Sequence, residues 1–477
     1  MRFILGSLVD DALALLLTFQ AIALGQLVFY PYSIFTIGSL AWYEARILGS
    51  LAPISPLLVV LLLYSWLVVL ILKYAQSHSL KIASLIQPLT EIVRRPVRPS
   101  VSREEFVLLR NPRLLLIIAM TVGGLLCCLP YLPELNPNRV AVGVDTPTYI
   151  QWTSQMLGKP LTQALMFAFG QADSGFRPLP LLLFYSIASL GFRPDLTVEF
   201  SPLILAPLLS LSTYVFVNVG TGDRGTAAIA ALVSAFSFDE TVGVWAGYLA
   251  NWIAMILAYF FFACFLTLDS SRRKALLVPL FLLSLALLLT HPWTWALVMV
   301  ATLVFAVTAP RAQRIFSSLS TVALVAVGIG VDLVKNQIAG GTTLASDLGT
   351  KGPVFGISQL LTFWPNVWGA STVLYDGLLG NALLLGLGMF PFIFTKLRKP
   401  MQGALGSWVA SASIPFALLN SFHQSRLLYD MPIPPLVAIA TISIMSRAGG
   451  GNLRASLILL VIMSILANYG VASIIQA

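Results

Sequence analysis

Long apolar runs, separated by short polar or basic stretches, make up most of the chain. A run of about 20 apolar residues is long enough to cross a bilayer as a helix. The pattern therefore predicts an all-α, polytopic transmembrane helix bundle of about 13 spans. With loose edges, these spans are 12–32, 54–74, 113–132, 199–219, 224–238, 247–268, 276–290, 293–309, 316–334, 371–394, 402–420, 431–446 and 453–473.

Two segments between the third and fourth of these spans have a different pattern. Segment 178–190 (PLPLLLFYSIASL) is apolar but short, which favours an interfacial or re-entrant helix over a span. Just before it, Tyr149, Trp152 and Met156 recur at helical spacing and predict an amphipathic interfacial helix over 148–158. We therefore expect interfacial or re-entrant helices in the first long outer loop.

Basic residues mark the side of the membrane on which each connection lies, because Lys and Arg favour cytoplasmic loops. This rule predicts a cytoplasmic N-terminus and an outside C-terminus in a multi-pass protein of the plasma membrane. We expect a two-helix transmembrane hairpin (1–75), a basic cytoplasmic linker (76–112), and a bundle (113–477) with outer loops 133–198 and 335–370. The basic residues of segment 75–112 are Lys81, Arg94, Arg95, Arg98, Arg103 and Arg110.

Composition agrees with a membrane protein. Hydrophobic residues make up 58% of the chain and charged residues only 10%, with a mean hydropathy of +0.88. A soluble domain carries about 25% charged residues, so this class is excluded. The net charge of +9 does not indicate nucleic acid, because the basic residues lie between apolar runs. All three cysteines fall inside apolar runs, so we expect neither a disulfide nor a zinc site.

Acidic residues in the predicted outer loops are the first candidates for chemistry. Asp145 precedes the predicted helix 148–158 in GVDTPTYIQWTSQML. Its carboxylate could accept a proton from a hydroxyl or bind a divalent cation, or it could serve as a helix N-cap. The adjacent Asp239 and Glu240 follow the predicted span 224–238. They are either a metal-binding pair or a solvated helix end.

Three further residues are candidates for substrate binding. In THPWTW (290–295), His291 lies at a predicted outer turn. It is either a ligand for a phosphate or carboxylate, or a turn residue flanked by tryptophans at the membrane interface. The stretch NSFHQSRLLYDMPIPP (420–435) holds His423 and Arg426. An outward arginine at membrane depth favours a lipid phosphate, with an ion pair to Asp430 as the alternative. Neither GxxxxGK[ST] nor GxGxxG occurs, so ATP-driven transport is unsupported.

Taken in order, several motifs resemble the C-type (GT-C) glycosyltransferase superfamily over roughly 113–446. This superfamily includes protein O-mannosyltransferases, lipid A aminoarabinose transferases and oligosaccharyltransferase catalytic subunits. The WWDYG motif of the last group is absent, and the hairpin 1–75 has no counterpart. The motifs that carry the resemblance are GVDTPTYIQWTSQML, FRPLPLLLFYSIASL, YVFVNVGTGDRG, TAAIAALVSAFSF followed by DET, and SRLLYDMPIPPLVAIA.

The resemblance implies transfer of a sugar from a polyprenyl-phosphate or -diphosphate carrier to a glycan, lipid or protein acceptor on the outer face. It places Asp145 as the catalytic carboxylate. Arg426 then faces the carrier phosphate, and Arg177 is a basic residue near the site. Asp239 and Glu240 match acids that help to bind metal, so Asp145, Asp239 and Glu240 would hold Mg²⁺ or Mn²⁺.

The sequence thus predicts a membrane glycosyltransferase whose partners are a lipid-linked sugar donor, membrane lipids and an acceptor, and not nucleic acid. The alternatives are a transporter or flippase, or a non-catalytic scaffold, for lipid-linked glycans. A transporter requires ionisable residues in mid-span. In the predicted spans these are almost absent, with Asp332 and Lys335 at one outer helix end.

Overall fold

The computed structural model describes 111–344 with short gaps, parts of 356–388, 399–448 and parts of 458–474. Every regular element in these residues is a helix, and no strand occurs among them. The predicted hairpin 1–75 and nearly all of the linker 76–112 lie outside the described residues, as does most of the predicted span 371–394.

The α-helices of the described residues are numbered here in chain order. The first eight are α1 (Pro112–Leu126), α2 (Thr146–Met156), α3 (Leu161–Met166), α4 (Pro178–Ala188), α5 (Pro194–Glu199), α6 (Pro202–Thr221), α7 (Arg224–Ser234) and α8 (Phe238–Trp245). The remaining eight are α9 (Leu249–Ser271), α10 (Leu277–Thr290), α11 (Pro292–Thr308), α12 (Arg311–Ala339), α13 (Ser358–Leu361), α14 (Lys399–Phe416), α15 (Ser421–Tyr429) and α16 (Ile433–Ala448).

Five helical stretches among the described residues are long and apolar enough to cross a membrane, and a sixth is added if α15 and α16 form one span bent by 54°. The prediction of an all-helical integral membrane protein is therefore confirmed. The count of about 13 spans is not confirmed. The five stretches are Pro112–Tyr131, Pro194–Thr221, Arg224–Trp245, Leu249–Asp269 and Phe316–Ala339.

The two segments with a different pattern form short helices, as the sequence predicts. Segment 178–190 contains the 11-residue α4, which starts on Pro178, a residue type suited to the first turn of a helix. The predicted helix over 148–158 is α2. Its apolar side packs inward, since Tyr149 and Met156 are fully buried. Both helices lie before α6, beside the end of the bundle that carries the candidate residues.

The centre of the bundle is the stretch formed by α7 and α8, which is almost wholly buried. Helix α7 is rich in alanine, and small side chains allow helix backbones to approach closely in a membrane protein. Accordingly α7 contacts α1, α6 and α16, while α6 also packs along α9. This close-packed centre provides a rigid support for the loops at the helix ends.

The acidic pair is not in an outer loop. Residues 238–244 form most of α8, and Asp239 and Glu240 are both fully buried within the bundle. Ser237 separates α7 from α8, but the chain continues inside the helical packing instead of leaving it. The expected outer loop at this point, and the alternative of a solvated helix end, are therefore both wrong for these two residues.

Segments predicted to lie on the outer face meet at one end of the bundle. Val144 and Asp145 donate their amides to the carbonyls of Trp245 and Ala246, at 3.3 and 3.0 Å. Lys335, near the end of α12, donates to a carbonyl of the first loop at Gly175. These contacts join distant parts of the chain and build the candidate site around Asp145.

Candidate functional site

Two glycines bring the Asp145 loop against the junction between α8 and α9. Gly143 has φ +97° and Gly247 has φ +66°, a region that favours glycine. A Cβ on Gly143 would lie 2.7 Å from the carbonyl oxygen of Val244, and one on Gly247 would lie 2.8 Å from the amide nitrogen of Thr146. Only residues without a side chain allow the two backbones to pass this closely, and the crossing fixes Asp145 in space.

Asp145 occupies the N-cap position of α2, but its side chain makes no capping hydrogen bond. Instead, one carboxylate oxygen lies 3.5 Å from Nη1 of Arg177, and a third of the Asp145 side chain is exposed. The alternative that Asp145 serves as a helix cap is therefore wrong. The carboxylate turns away from the helix amides and remains accessible for chemistry.

Arg177 is the centre of a set of polar contacts. Its Nη1 donates to the hydroxyl of Tyr149 at 2.9 Å, and its Nε lies 2.8 Å from Oδ2 of Asp173. Burial alone would lower the pKa of Arg177, but Tyr149 and the carboxylates of Asp173 and Asp145 outweigh it and raise the pKa above its ordinary value. Arg177 is thus a permanent, well-oriented cation beside Asp145.

Asp173 is a site residue that the sequence analysis did not identify. Asp173 and Ser174 have φ +45° and +56°, and a non-glycine residue in this region needs support from its surroundings. Thr342 donates its amide to the Ser174 carbonyl at 3.0 Å, and Lys335 donates its ammonium to the Gly175 carbonyl at 2.9 Å. The sequence offers one signal for Asp173: it lies four residues before Arg177, the cation with which it pairs.

The ammonium of Lys335 is itself buried and lies 3.0 Å from Oδ1 of Asp332. Oδ2 of Asp332 accepts the amide of Leu344 at 3.1 Å, so both ends of the pair have partners. The two residues that the sequence placed at an outer helix end therefore hold the strained turn that contains Asp173.

Arg426 lies on α15 and is held by aromatic rings. Its guanidinium carbon lies 3.7 Å from the centre of the Phe422 ring and 5.6 Å from that of Tyr248. No ion pair joins Arg426 to Asp430 within the described residues, so this alternative is wrong. The Nη1 atom is buried and has no hydrogen-bond partner in the described part of the chain.

His291 lies in the turn between α10 and α11 and is buried. Its Nδ1 is 2.8 Å from the hydroxyl oxygen of Thr294, and that oxygen is 2.7 Å from Oδ2 of Asp430. Burial lowers the pKa of His291 well below its ordinary value, and the positive charges of Arg177 and Arg426 lower it further. Burial and the charges of Arg177 and Arg426 thus all favour the neutral form of the His291 imidazole.

His423 lies at the border of this group. Its amide and its Nδ1 both contact Oδ1 of Asn420, at 3.1 and 2.8 Å, so Asn420 caps the first turn of α15. The His423 ring also packs edge-on against Trp293, with ring centres 5.5 Å apart and ring planes inclined by 67°. These contacts place His423 beside the turn that carries His291.

The metal set expected from the resemblance is not assembled in the structure. Asp145 pairs with Arg177, whereas Oε1 of Glu240 lies 3.9 Å from Sγ of Cys127 on α1. Within the described residues, no group of three or more His, Cys, Asp or Glu side chains is arranged to hold a metal ion. The three carboxylates do not fit a single ligand set, and the divalent cation remains a prediction.

The structure thus groups Asp145, Arg177, His291 and Arg426 at one end of the bundle, with His423 beside them. Arg426 interacts electrostatically with Arg177, Asp145 and Asp173. Two arginines and a neutral histidine beside one accessible carboxylate suit an anionic ligand that carries a reactive neighbouring group. No protein-family model matches this chain, and no curated protein matches its sequence.

Proposed function

We propose that this protein is a membrane glycosyltransferase that transfers a sugar from a polyprenyl-phosphate carrier to an acceptor hydroxyl. The observation that carries the proposal is the convergence of Asp145, Arg177, Arg426 and His291 at one end of an apolar helical bundle. This arrangement supplies cations for a phosphate and a carboxylate for an acceptor in the same place. The resemblance to the GT-C superfamily leads us to expect Asp145, Arg177 and Arg426 in one site, but it does not include His291.

A phosphate group explains the state of Arg426. A buried guanidinium nitrogen without a partner is costly, because desolvating a charged group without a compensating hydrogen bond is unfavourable. A phosphate oxygen would provide that hydrogen bond, and the positive charge of Arg177 nearby would add to the attraction. Tyr248 and Phe422 hold the guanidinium from the other side.

An apolar groove beside the Arg177 loop supports a carrier with a hydrocarbon tail. The groove has a volume of about 690 Å³ and lies between the C-terminal half of α12 and residues 165–169. Its lining includes Met166, Phe169, Val331 and Ile338, with Lys335 at its edge. Lys335 also contacts Gly175, two residues before Arg177. A tail in this groove would leave its phosphate close to the cations.

In the proposed reaction, Asp145 accepts the proton of the acceptor hydroxyl while that oxygen attacks the anomeric carbon of the sugar. The bond between the sugar and the carrier phosphate breaks, and Arg177 and Arg426 stabilise the charge on the leaving phosphate. A direct displacement of this kind inverts the anomeric centre. Arg177 also orients the Asp145 carboxylate through the ion pair.

One observation favours the alternative of a transporter or flippase. Both carboxylate oxygens of Asp239 are buried in the bundle and have no hydrogen-bond partner among the described residues. Ionisable residues in such a position often mark the path of an ion or solute through a membrane protein. A transporter would move a lipid-linked glycan without breaking the bond between its sugar and its phosphate.

The substitution Asp145→Asn tests the proposal, since it removes the charge and the proton-accepting oxygen with little change of shape. The assay measures transfer from a radiolabelled polyprenyl-phosphate sugar pool to native acceptors in membranes. We expect transfer to fall about 10²- to 10⁴-fold, the usual contribution of a general base. Asp195→Asn is the control, because Asp195 pairs only with the exposed Arg193 at the start of α5.

The outcome separates the two functions. The asparagine variant should express, melt and bind donor lipid like the wild type, because the Asp145 side chain makes no capping bond that folding would lose. Transfer at the wild-type rate would reject Asp145 as the base. If the wild type transports the lipid-linked sugar intact and never transfers it, the transporter takes its place.

A further inference from the structure

The hydrogen-bond chain from His291 through Thr294 to Asp430 has a specific chemical property. All three side chains are buried, with exposed fractions of 3%, 0% and 2%. The chain starts beside the two arginines of the candidate site and ends in the interior of the bundle. The hydroxyl of Thr294 has a single proton, so it can donate to only one of its two neighbours, His291 or Asp430. The other neighbour must then donate to the Thr294 oxygen.

Two arrangements of protons satisfy the 2.8 and 2.7 Å contacts. With Asp430 ionised, Thr294 donates to Asp430 and the Nδ1–H of His291 donates to Thr294. With Asp430 protonated, Asp430 donates to Thr294, Thr294 donates to Nδ1, and the imidazole proton is on Nε2. The amide of Thr294 also donates to Nδ1, at 3.3 Å, which requires Nδ1 to be an acceptor. The second arrangement is therefore the one that satisfies every contact.

Burial supports the same arrangement. The interior of a protein disfavours an isolated carboxylate and favours the neutral carboxylic acid. Oδ1 of Asp430 is buried and makes no well-aligned hydrogen bond among the described residues, and burial affects this carboxyl group more strongly than its neighbours Thr294 and Asn251 do. Arg426 attracts the charge of Asp430 electrostatically but forms no ion pair with it.

We propose that His291 is a catalytic acid, which donates its Nε2 proton to the leaving carrier phosphate and is resupplied from Asp430 through Thr294. This rests on the proposed function, where Asp145 acts on the acceptor and His291 acts on the leaving group. The phosphate oxygen takes the proton of Nε2 as its bond to the sugar breaks. Nδ1 takes the hydroxyl proton of Thr294, and Thr294 takes the carboxyl proton of Asp430.

The sequence of transfers keeps charge away from the imidazole. His291 is neutral before and after the reaction, as its lowered pKa and its two arginine neighbours require. Within the relay of His291, Thr294 and Asp430, only Asp430 changes charge, from carboxylic acid to carboxylate. The phosphate leaves with one negative charge instead of two, which matters because separated charge is expensive in a site of low dielectric constant. The charged groups near His291 are Arg177 and Arg426. Asp430, behind Thr294, interacts electrostatically with Arg426 and with Asp239 on α8.

The first test reads the tautomer of His291 without any transferase activity. The chain has three histidines, so the full-length protein can be labelled with ¹⁵N-histidine in nanodiscs, with His291→Asn identifying the signal by its loss. We expect a neutral ring with an unprotonated Nδ1 in the wild type and in Thr294→Ser. Thr294→Val retains the side-chain shape but not the hydroxyl, so the fixed tautomer should be lost. A proton on Nδ1 in the wild type would overturn the proposal.

The second test determines whether Nε2 of His291 contacts a bound phosphate. Geranylgeranyl monophosphate should shift the Nε2 resonance of the wild type, and Thr294→Ser should respond in the same way. Inorganic phosphate, added separately, shows whether the hydrocarbon tail is needed. A shift with inorganic phosphate at equal concentration would assign the site to free phosphate, and no shift with either probe would overturn the contact between His291 and phosphate.

The third test compares the maximal rate and the donor KM of sugar transfer between the wild type and the Thr294 variants. Thr294→Val should reduce the maximal rate about 10²-fold, at the lower end of general-acid effects because phosphate is already a good leaving group. Its donor KM should stay near that of the wild type, and Thr294→Ser should restore the rate. Equal rates for the valine and serine variants would reject the relay. Absence of transfer in the wild type would reject the proposed function, while the tautomer result would still stand.

Discussion

The hydroxyl of Thr294 lies 2.7 Å from Oδ2 of Asp430, although the two residues are 136 positions apart in the chain. This contact joins the first turn of α11 to the break between α15 and α16. Asp430 is further held by the indole of Trp408, which donates to its main-chain carbonyl at 2.8 Å. The relay therefore rests on three separate helices, and its geometry depends on the packing of the whole bundle.

Stability should depend on pH through His291. Its pKa in the folded protein lies below the ordinary value, so protons bind the unfolded chain more readily. This contribution is complete above about pH 6.5 and is lost as the pH falls below it, by up to about 1.4 kcal/mol per pH unit. His291→Asn should flatten the dependence of the melting temperature between pH 7 and pH 5. An unchanged slope would show that His291 has the same pKa in the folded and unfolded protein.

Arg177→Lys should impair the site although it keeps the positive charge. A lysine ammonium lacks the planar, forked donors that reach Tyr149, Asp173 and Asp145 at once. We expect a strong loss of transfer and a loss of about 1.5–3 kcal/mol of unfolding free energy, typical of hydrogen bonds to a charged group. Arg193→Lys, in the exposed pair with Asp195, is the control and should change neither quantity. Full activity of Arg177→Lys would show that only the positive charge at this position matters, and not the shape of the guanidinium.

Gly247→Ala should displace the Asp145 loop. Gly158→Ala is a matched control, because Gly158 also has positive φ but has open space around its Cα. The control should lose only about 1–2 kcal/mol of unfolding free energy, because alanine is strained in a left-handed conformation. Gly247→Ala carries the same strain and in addition places a Cβ against Thr146, so it should also lose transfer. Equal effects of the two variants on transfer would show that the close crossing is unimportant.

Lys335→Met should release the turn that contains Asp173. It removes the hydrogen bond to Gly175 and leaves Asp332 buried without its cation, which costs about 3–5 kcal/mol. Limited proteolysis should show new cleavage near 172–175. The double variant Asp332→Asn with Lys335→Met should recover part of the melting temperature, and Lys274→Met, at an exposed lysine, should behave like the wild type. Equal stability of the single and double variants would contradict a buried ion pair.

Periodicity and segment length were sufficient to predict the all-helical class and several of the helices in the described residues, but not the number of spans. The 11-residue α4 and the amphipathic α2 both follow from local patterns, as do most long helices of the described residues. The boundary after 238 was wrong because a window of apolar residues cannot show that Asp239 and Glu240 are accommodated inside the bundle. Glu240 has room there because Gly123 on α1 has no side chain, where a Cβ would lie 2.9 Å from Oε2.

The sequence drew attention to several residues that lie together in the structure, but it did not predict the contacts among them. Asp145 was a candidate from its position before α2, but its ion pair with Arg177 depends on the approach of two loops. Thr294 was not identified, although its spacing of three residues from His291 fits one helical turn. Asp430 was considered only as a partner for Arg426, whereas the bend between α15 and α16 turns it towards α11.

The two main-chain bonds from Val144 and Asp145 to Trp245 and Ala246 have a mechanical consequence. They couple the loop that carries the carboxylate to the junction of α8 and α9, so the loop cannot swing outward unless both bonds break or the junction follows. On α15, the helix itself is tied to the bundle, since Tyr429 donates its hydroxyl to the Asp239 carbonyl, but the Arg426 side chain is held by ring contacts with Phe422 and Tyr248. A ligand that enters this site would therefore displace the Arg426 side chain more easily than the main chain that carries Asp145.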